Sequence, residues 1–150
     1  MSAYIDGLKL LGRRELSVSD LRSRLLDREH SDEETDEAIA RLLETGALDD
    51  RRVARAYART ASKVKGRGRL RVTRELQAMG IAREVIAEAV GEVFGDIDER
   101  AMIDRAIQKK LRGKKPSTMQ ERARLYQFLM RQGFTPTAVS AALRRSSRDE

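Results

Sequence analysis

The sequence contains no cysteine and no tryptophan, and among its 150 residues it has one histidine and two prolines. Without cysteine the chain can form neither disulfides nor thiolate zinc sites, a usage typical of a reducing compartment, so we expect a cytoplasmic protein. The first residues show no basic segment followed by an apolar run, and we expect no secretory signal. No apolar run approaches the ~20 residues that a membrane span needs, so we expect no membrane association.

Aromatic residues are also scarce, with three tyrosines and three phenylalanines. Alanine, leucine, arginine and glutamate are abundant instead, and no segment alternates apolar and polar residues with the period of a strand. A chain of this length can bury roughly 70% of its unfolded surface, so it needs no metal or disulfide to fold. These features predict an all-α protein.

Charge is distributed unevenly along the chain, which carries 31 basic and 24 acidic residues. Residues 27–50 have a net charge of −8, whereas residues 51–75 combine ten basic side chains with one acid, Glu75, for a net charge of +9. Most charge runs are solvated helix faces, but a reversal this sharp favours a surface that binds a polyanion or an acidic protein. The ten basic residues are Arg51, Arg52, Arg55, Arg59, Lys63, Lys65, Arg67, Arg69, Arg71 and Arg74.

A pattern repeats along the chain with a period near fifty residues. The segment from Leu76 to Ile81 matches the segment from Leu129 to Phe134 at an offset of 53. A weaker copy begins at Leu26, with Glu29 and His30 in the places of the glycine and the apolar residue. We therefore predict three tandem three-helix repeats, at 1–48, 49–95 and 96–150, stacked into an elongated, curved monomer.

Polar residues that suit helix N-termini mark where helices begin within each repeat. Ser17 with Asp20, and Ser31 with Glu34, predict the starts of two helices in the first repeat. In the third repeat we expect one helix to be capped by Asp96, with Glu99 as its partner, and the next to begin at Ser117 with Gln120.

Three sequence features have a chemical and a structural interpretation. Asp49 and Asp50 could bind a metal, but the absence of a third ligand at plausible spacing favours a helix N-cap. The segment 65–68 could cradle a phosphate, but it lacks the residues of a P-loop, which favours a basic turn between helices. His30 has no nucleophile or ligand set around it, and we expect it at a helix junction. The sequence therefore predicts no catalytic residue, no metal and no cofactor.

The third repeat holds a second basic set, for which ordinary solvation and partner binding are equally good interpretations. Lys110 and Lys114 would lie on one helix face if the helix extends that far. The set consists of Arg105, Lys109, Lys110, Arg112, Lys114 and Lys115, and we assign Lys109, Lys110, Lys114 and Lys115 to the binding surface.

The central repeat carries a combination of residues that resembles the RecX family of bacterial recombination regulators. Each residue alone is common, whereas their order and spacing within a threefold helical repeat are specific, and the resemblance covers nearly the whole chain. The positions that carry it are Gly46, Leu48, Asp49, Asp50, Ala54, Tyr57, Lys65, Gly66, Arg67, Gly68, Glu75, Leu76, Gly80 and Ile81.

The resemblance implies a fold of three tandem three-helix repeats and a non-enzymatic function. Members of the family bind the RecA–DNA filament in its helical groove and inhibit ATP hydrolysis, strand exchange and coprotease activity. We expect Arg55, Arg59, Lys65 and Arg67 to be the main contacts, with weaker, salt-sensitive binding to single- and double-stranded DNA. The alternative is a general, sequence-tolerant DNA-binding protein built from modules like helix-turn-helix units.

Overall fold

Nine α-helices make up the regular structure of residues 1–148, which are the residues that the computed structural model describes. No strand occurs in this part of the chain, so the predicted all-α fold is confirmed. The helices are α1 (Ala3–Arg13), α2 (Val18–Asp27), α3 (Asp32–Glu44), α4 (Asp50–Lys63), α5 (Arg69–Ala78), α6 (Arg83–Gly95), α7 (Glu99–Leu111), α8 (Met119–Gln132) and α9 (Pro136–Arg148).

The side chains at two helix N-termini of the first repeat accept the hydrogen bonds that the sequence predicts. Ser17 Oγ accepts from the Asp20 N–H at 3.1 Å, and Ser31 Oγ accepts from the Glu34 N–H at 3.1 Å. Each bond satisfies one of the backbone donors that the first turn of a helix leaves without a partner.

Two predicted helix starts in the third repeat are wrong by one or two residues. Asp98, not Asp96, caps α7, because Ile97 packs against the core just before the helix and so fixes where the first turn begins. Thr118, not Ser117, caps α8 and accepts from the Glu121 N–H at 3.1 Å. Ser117 donates through its backbone and its hydroxyl to the Glu121 carboxylate, so Glu121 takes the partner role that Gln120 was expected to have.

The chain forms two compact units, and the middle repeat contributes to both. The first unit comprises Met1–Tyr57 and Glu75–Ala89, and the second comprises Ala58–Arg74 and the chain from Val90 onward. The repeat boundaries 1–48, 49–95 and 96–150 stay a prediction.

Each unit contains an apolar cluster formed by residues at helical spacing. In the first unit α1, α2 and α3 contribute Leu10, Leu21, Leu25 and Leu42, each at most 5% exposed. In the second unit α7, α8 and α9 surround Phe134, which is fully buried.

The second helix of every repeat ends in the same way. The N–H groups of His30, Ile81 and Phe134 donate to the carbonyls five residues earlier, and the preceding residues donate to the carbonyls three residues earlier. This pattern is the Schellman motif, which satisfies the last carbonyls of a helix and requires a residue with positive φ. Gly80 and Gly133 fill that position in the second and third repeats, with φ of 76° and 99°.

Glu29 fills the glycine position in the first repeat, with φ of 71°. The left-handed conformation places Cβ close to the following carbonyl oxygen, which costs a residue other than glycine about 1–2 kcal/mol. The first repeat therefore matches the others weakly in sequence but does not differ from them in the structure of this helix end. The same helix end is retained at a cost in backbone strain.

Replacing Glu29 with glycine should stabilise the protein. Glycine relieves the strain at positive φ but loses more backbone entropy on folding, so we expect a net gain of about 0.5–1 kcal/mol. The free energy of unfolding, measured by urea titration, checks this.

The matched control is Gly80→Ala, which should destabilise the protein. Its backbone has positive φ, and an added Cβ would lie 2.5 Å from Ser19 Cβ. A Glu29→Gly variant no more stable than the unmodified chain would contradict the assignment of strain to this residue.

The same helix ends receive the N-terminus of another helix. In the first unit, Ser17 Oγ at the start of α2 donates to the Met79 carbonyl at 2.6 Å. In the second unit, the Gly68 N–H before α5 donates to the Gln132 carbonyl at 2.7 Å, and the Leu70 N–H donates to the Gly133 carbonyl at 3.0 Å. Each joint therefore uses carbonyls at a helix C-terminus as acceptors for groups at a helix N-terminus.

His30 replaces the apolar residue that follows the glycine in the other repeats, and it lies against a buried carboxylate. His30 Nε2 is 2.9 Å from Asp6 Oδ2, and Arg28 Nη1 is 2.5 Å from Asp6 Oδ1. The hydrogen bond with His30, together with the charge and hydrogen bond of Arg28, holds the pKa of Asp6 below its ordinary value despite burial. His30 thus ties the end of α2 to α1.

Asp6→Asn should destabilise the first unit by about 1–3 kcal/mol near neutral pH, because it removes hydrogen bonds to charged groups from a buried position. A lowered carboxyl pKa stabilises the fold at pH values above 3.8, the ordinary value, and the contribution disappears as the pH falls through the folded-state pKa. The difference between the two proteins, measured by urea unfolding as a function of pH, should therefore shrink over that acidic range.

The control for this measurement is Glu34→Gln. The Glu34 carboxylate is 3.8 Å from His30 Nδ1 and its side chain is 64% exposed, so its removal should change stability little. An Asp6→Asn difference that stays constant with pH would contradict the account.

Candidate polyanion-binding site

Several of the ten basic residues in 51–75 bond to groups within the fold, and the side-chain bonds of three arginines are clear. Arg51 pairs with Glu88. Arg52 bonds to Glu15 at 3.1 Å and to the carbonyls of Gly46 at 2.8 Å and Ala47 at 3.1 Å. Arg71 Nη1 donates to Gln132 Oε1 at 3.0 Å. These three arginines hold helices and loops in place.

Most of the other basic residues in this segment have no ion pair within residues 1–148. Arg67 is not one of these free residues: it is half-buried, it has contacts within the fold, and its backbone N–H donates to the Ala61 carbonyl at 2.9 Å. Arg55, which we expected to be a main contact, is half-buried as well. Exposed side chains without an ion pair in the described residues are Arg59, Lys63, Lys65, Arg69 and Arg74.

The second unit brings together basic residues that are far apart in the sequence. The end of α4 and the following turn contribute Lys63 and Lys65, and the C-terminal half of α7 and its end contribute Arg105, Lys109, Lys110 and Arg112. These six side chains line a cleft of about 720 Å³, which we call the basic cleft. No acidic side chain of the described residues is in its lining.

Lys114 and Lys115 line a different cavity. The helix α7 ends at Leu111, and Arg112 has φ of 52°, so Lys114 lies in the loop and not one helical turn beyond Lys110. Its cavity, about 490 Å³ in volume, also contains Asp104, which pairs with Arg145 at 3.3 Å. The second basic set of the sequence is therefore divided between two surfaces.

The floor of the basic cleft is apolar. Ile97, Met102, Ala106 and Phe128 form it, and all four belong to or pack against the core of the second unit. Lys110 Nζ lies 4.7 Å from the centre of the Phe128 ring, close enough for a cation–π interaction. The cleft can therefore hold a negatively charged ligand that also has an apolar part.

The sequence predicted the basic residues of the cleft but not its floor. Lys63, Lys65, Lys109 and Lys110 were assigned to the surface, whereas Arg105 and Arg112 were noted only as part of a basic set. The floor depends on how α7 and α8 pack near the end of α4, which residue spacing does not reveal. One local signal was available, because Val64 is an apolar residue between two lysines.

Several of the positions that carry the family resemblance have structural roles. Asp49 caps α4, accepting from the N–H groups of Arg51 at 3.0 Å and Arg52 at 3.3 Å. Asp50 accepts from the Val18 N–H at 2.9 Å, and burial raises its pKa. The apolar positions Leu48, Ala54 and Leu76 are buried, Tyr57 is half-buried, and Gly46, Gly66 and Gly80 have positive φ.

No helix in residues 1–148 is both long and apolar enough to cross a membrane. No group of three or more histidine or carboxylate side chains in that part of the chain could hold a metal ion.

The fold and its repeated helix ends define an all-α protein of tandem three-helix repeats. Models of the RecX family match the chain three times, as the first three-helix domain at residues 3–42, the second at 49–90 and the third at 98–143. The chain belongs to the RecX family.

Individual relatives agree with this membership, and a solved structure shares the fold. Regulatory protein RecX of Pelodictyon phaeoclathratiforme is 36% identical over 143 residues, covering 95% of this chain and 87% of the relative. The Halorhodospira halophila protein of the same name is 31% identical with the same coverage. The crystal structure of RecX from Lactobacillus salivarius superposes with a TM-score of 0.76 at 14% identity, over 97% of this chain and 95% of that one, which supports the fold alone.

Alanine substitutions should distinguish the arginines that stabilise the fold from those without partners in the described residues. Arg52→Ala removes bonds to Glu15 and to two carbonyls, and because the ion pair is partly exposed we expect a loss of about 0.5–1.5 kcal/mol of unfolding free energy. Arg59→Ala removes an exposed side chain without an ion pair and should change stability by less than about 0.5 kcal/mol. Thermal melting of both variants checks this, and equal losses would show that the bonds of Arg52 do not stabilise the fold.

Proposed function

We propose that this protein is a negative regulator of the RecA recombinase. It binds the RecA–DNA filament in its helical groove and inhibits ATP hydrolysis, strand exchange and coprotease activity. The proposal is supported by membership of a family whose members are named regulatory proteins. It places the protein in the cytoplasm as a monomer without catalytic activity of its own.

The observation that carries the proposal is the group of exposed cations without ion pairs in the second unit. Arg59, Lys63, Lys65 and Arg69 lie along the end of α4 and the turn into α5. They are available to acidic residues of RecA and to the phosphates of the DNA in the filament. A protein that binds better to one filament state shifts the population toward it, and that bias would slow any reaction that requires the other state.

The test is the ATPase activity of RecA on single-stranded DNA, measured while this protein is added. The variant replaces Arg59, Lys63, Lys65 and Arg69 with alanine. It should melt normally, because the four side chains are exposed and have no ion pair in the described residues. We expect the concentration for half-inhibition to rise at least about tenfold, which corresponds to about 1.4 kcal/mol of lost binding energy.

The matched control removes the same amount of charge elsewhere. Lys9, Arg13, Arg14 and Arg83 are also exposed and lack ion pairs in residues 1–148, and all four lie in the first unit. Replacing these four with alanine should leave inhibition nearly unchanged. If both variants lose activity equally, net charge and not this surface carries the function.

The alternative is a general DNA-binding protein, and the same unpaired cations favour it because they would suit phosphates equally well. Such a protein would inhibit RecA by competing for DNA, so excess single-stranded DNA would relieve the inhibition. A filament-binding protein should remain inhibitory under that condition.

Binding of this protein to DNA alone should weaken as salt is added. A plot of log binding constant against log salt concentration should have a slope of about −0.7 to −0.9 per phosphate contact.

A further inference from the structure

The basic cleft contains an exposed apolar side chain at its edge. Val64 follows directly after the last residue of α4, and it is 78% exposed between Lys63 and Lys65. Its N–H donates to the Thr60 carbonyl at 3.0 Å, so the backbone fixes its position next to the cleft. Together with the floor, Val64 gives the cleft two apolar surfaces between its cationic side chains.

Several uncharged groups of the cleft that could contact a nucleic-acid base are already engaged. One face of the only aromatic ring in the lining, Phe128, is approached by Lys110. Gln132 accepts from Arg71 through its side chain and from Gly68 through its carbonyl. The Ser62 hydroxyl donates to the Arg59 carbonyl at 3.2 Å. Base contacts through these groups would have to displace existing bonds, which leaves the arginines of the cleft as the groups that could contact a base.

We propose that the basic cleft binds an acidic protein segment that inserts a large apolar side chain between Val64 and the floor. Charge complementarity identifies the occupant, because six cations line the cleft and no acid from residues 1–148 does. Because the cleft also has apolar surfaces, a ligand that fits it needs an apolar group as well as negative charge. The proposal goes beyond filament inhibition, since it assigns a ligand class to the cleft whichever protein supplies the segment.

The test uses fluorescence anisotropy with three labelled probes of equal length on the full chain. The first is a peptide in which glutamates alternate with leucines, the second has serine in place of each leucine, and the third is an oligothymidylate. We expect the leucine peptide to bind at least about tenfold more tightly than the serine peptide, and the oligothymidylate to bind more weakly than the leucine peptide.

Val64→Ser tests the apolar contribution without disturbing the core. It should weaken binding of the leucine peptide about threefold or more, and leave binding of the other two probes unchanged. Met119→Ser is the matched control, because Met119 is 87% exposed and does not line the cleft. This variant should bind all three probes as the unmodified protein does.

Charge reversal tests the cationic contribution. Lys63→Glu with Lys109→Glu should weaken binding of both peptides by more than about tenfold. Lys9→Glu with Arg144→Glu reverses two exposed charges that do not line the cleft and should change binding less than about twofold. If the unmodified protein does not inhibit RecA, the proposed function is wrong. The peptide measurements do not depend on that result, so they still test the cleft.

Three outcomes would overturn the proposal. Equal affinity for the leucine and serine peptides would show that the cleft binds any polyanion and that its apolar surfaces do not contribute. An oligothymidylate that binds more tightly than the leucine peptide, and displaces it, would assign the cleft to nucleic acid. Concentration-dependent dimerisation that the Lys63→Glu and Lys109→Glu changes abolish would make a second copy the occupant, through the acidic residues of 27–50.

Discussion

The fold depends on how the second helix of each repeat ends. A helix leaves its last carbonyls without intrahelical partners, and burying them without other donors would cost free energy. Here the two N–H groups after each helix satisfy some of these carbonyls through a turn at positive φ. The Met79 and Gln132 carbonyls accept from another helix start. The same few atoms thus end one helix and position another.

The need for glycine at these joints follows from close contact as well as from backbone angle. A Cβ at Gly133 would lie 2.3 Å from Arg71 Cβ, and a Cβ at Gly68 would lie 2.5 Å from the Gly133 carbonyl carbon. In the first unit Ser17 occupies the place of Gly68 and donates through its hydroxyl instead of its backbone. One joint is therefore made by backbone approach and the other by a side chain.

Sequence periodicity and helix signals were enough to predict the helices and the threefold repeat, because caps and glycines act locally. Ser17 and Ser31 were predicted correctly, since each is followed by a clear apolar stripe. Asp96 was wrong because two aspartates precede α7, and the packing of Ile97 decides between them. The strain at Glu29 was not predicted, because a glutamate does not by itself indicate positive φ; the one signal for it was that the repeat places Glu29 where the other copies have glycine.

The charge of the segment 51–75 has two separate uses, which a count of residues cannot distinguish. Arg51, Arg52 and Arg71 are bound to groups within the protein, and their loss would affect the fold before any partner. The remaining free cations include Lys63 and Lys65, and packing places these two beside cations from α7 that are forty residues away or more in sequence. Binding free energy at such a surface depends on which charges share a ligand and exclude water from it. The net charge of +9 therefore indicated that a binding surface exists, whereas packing determines which residues belong to it.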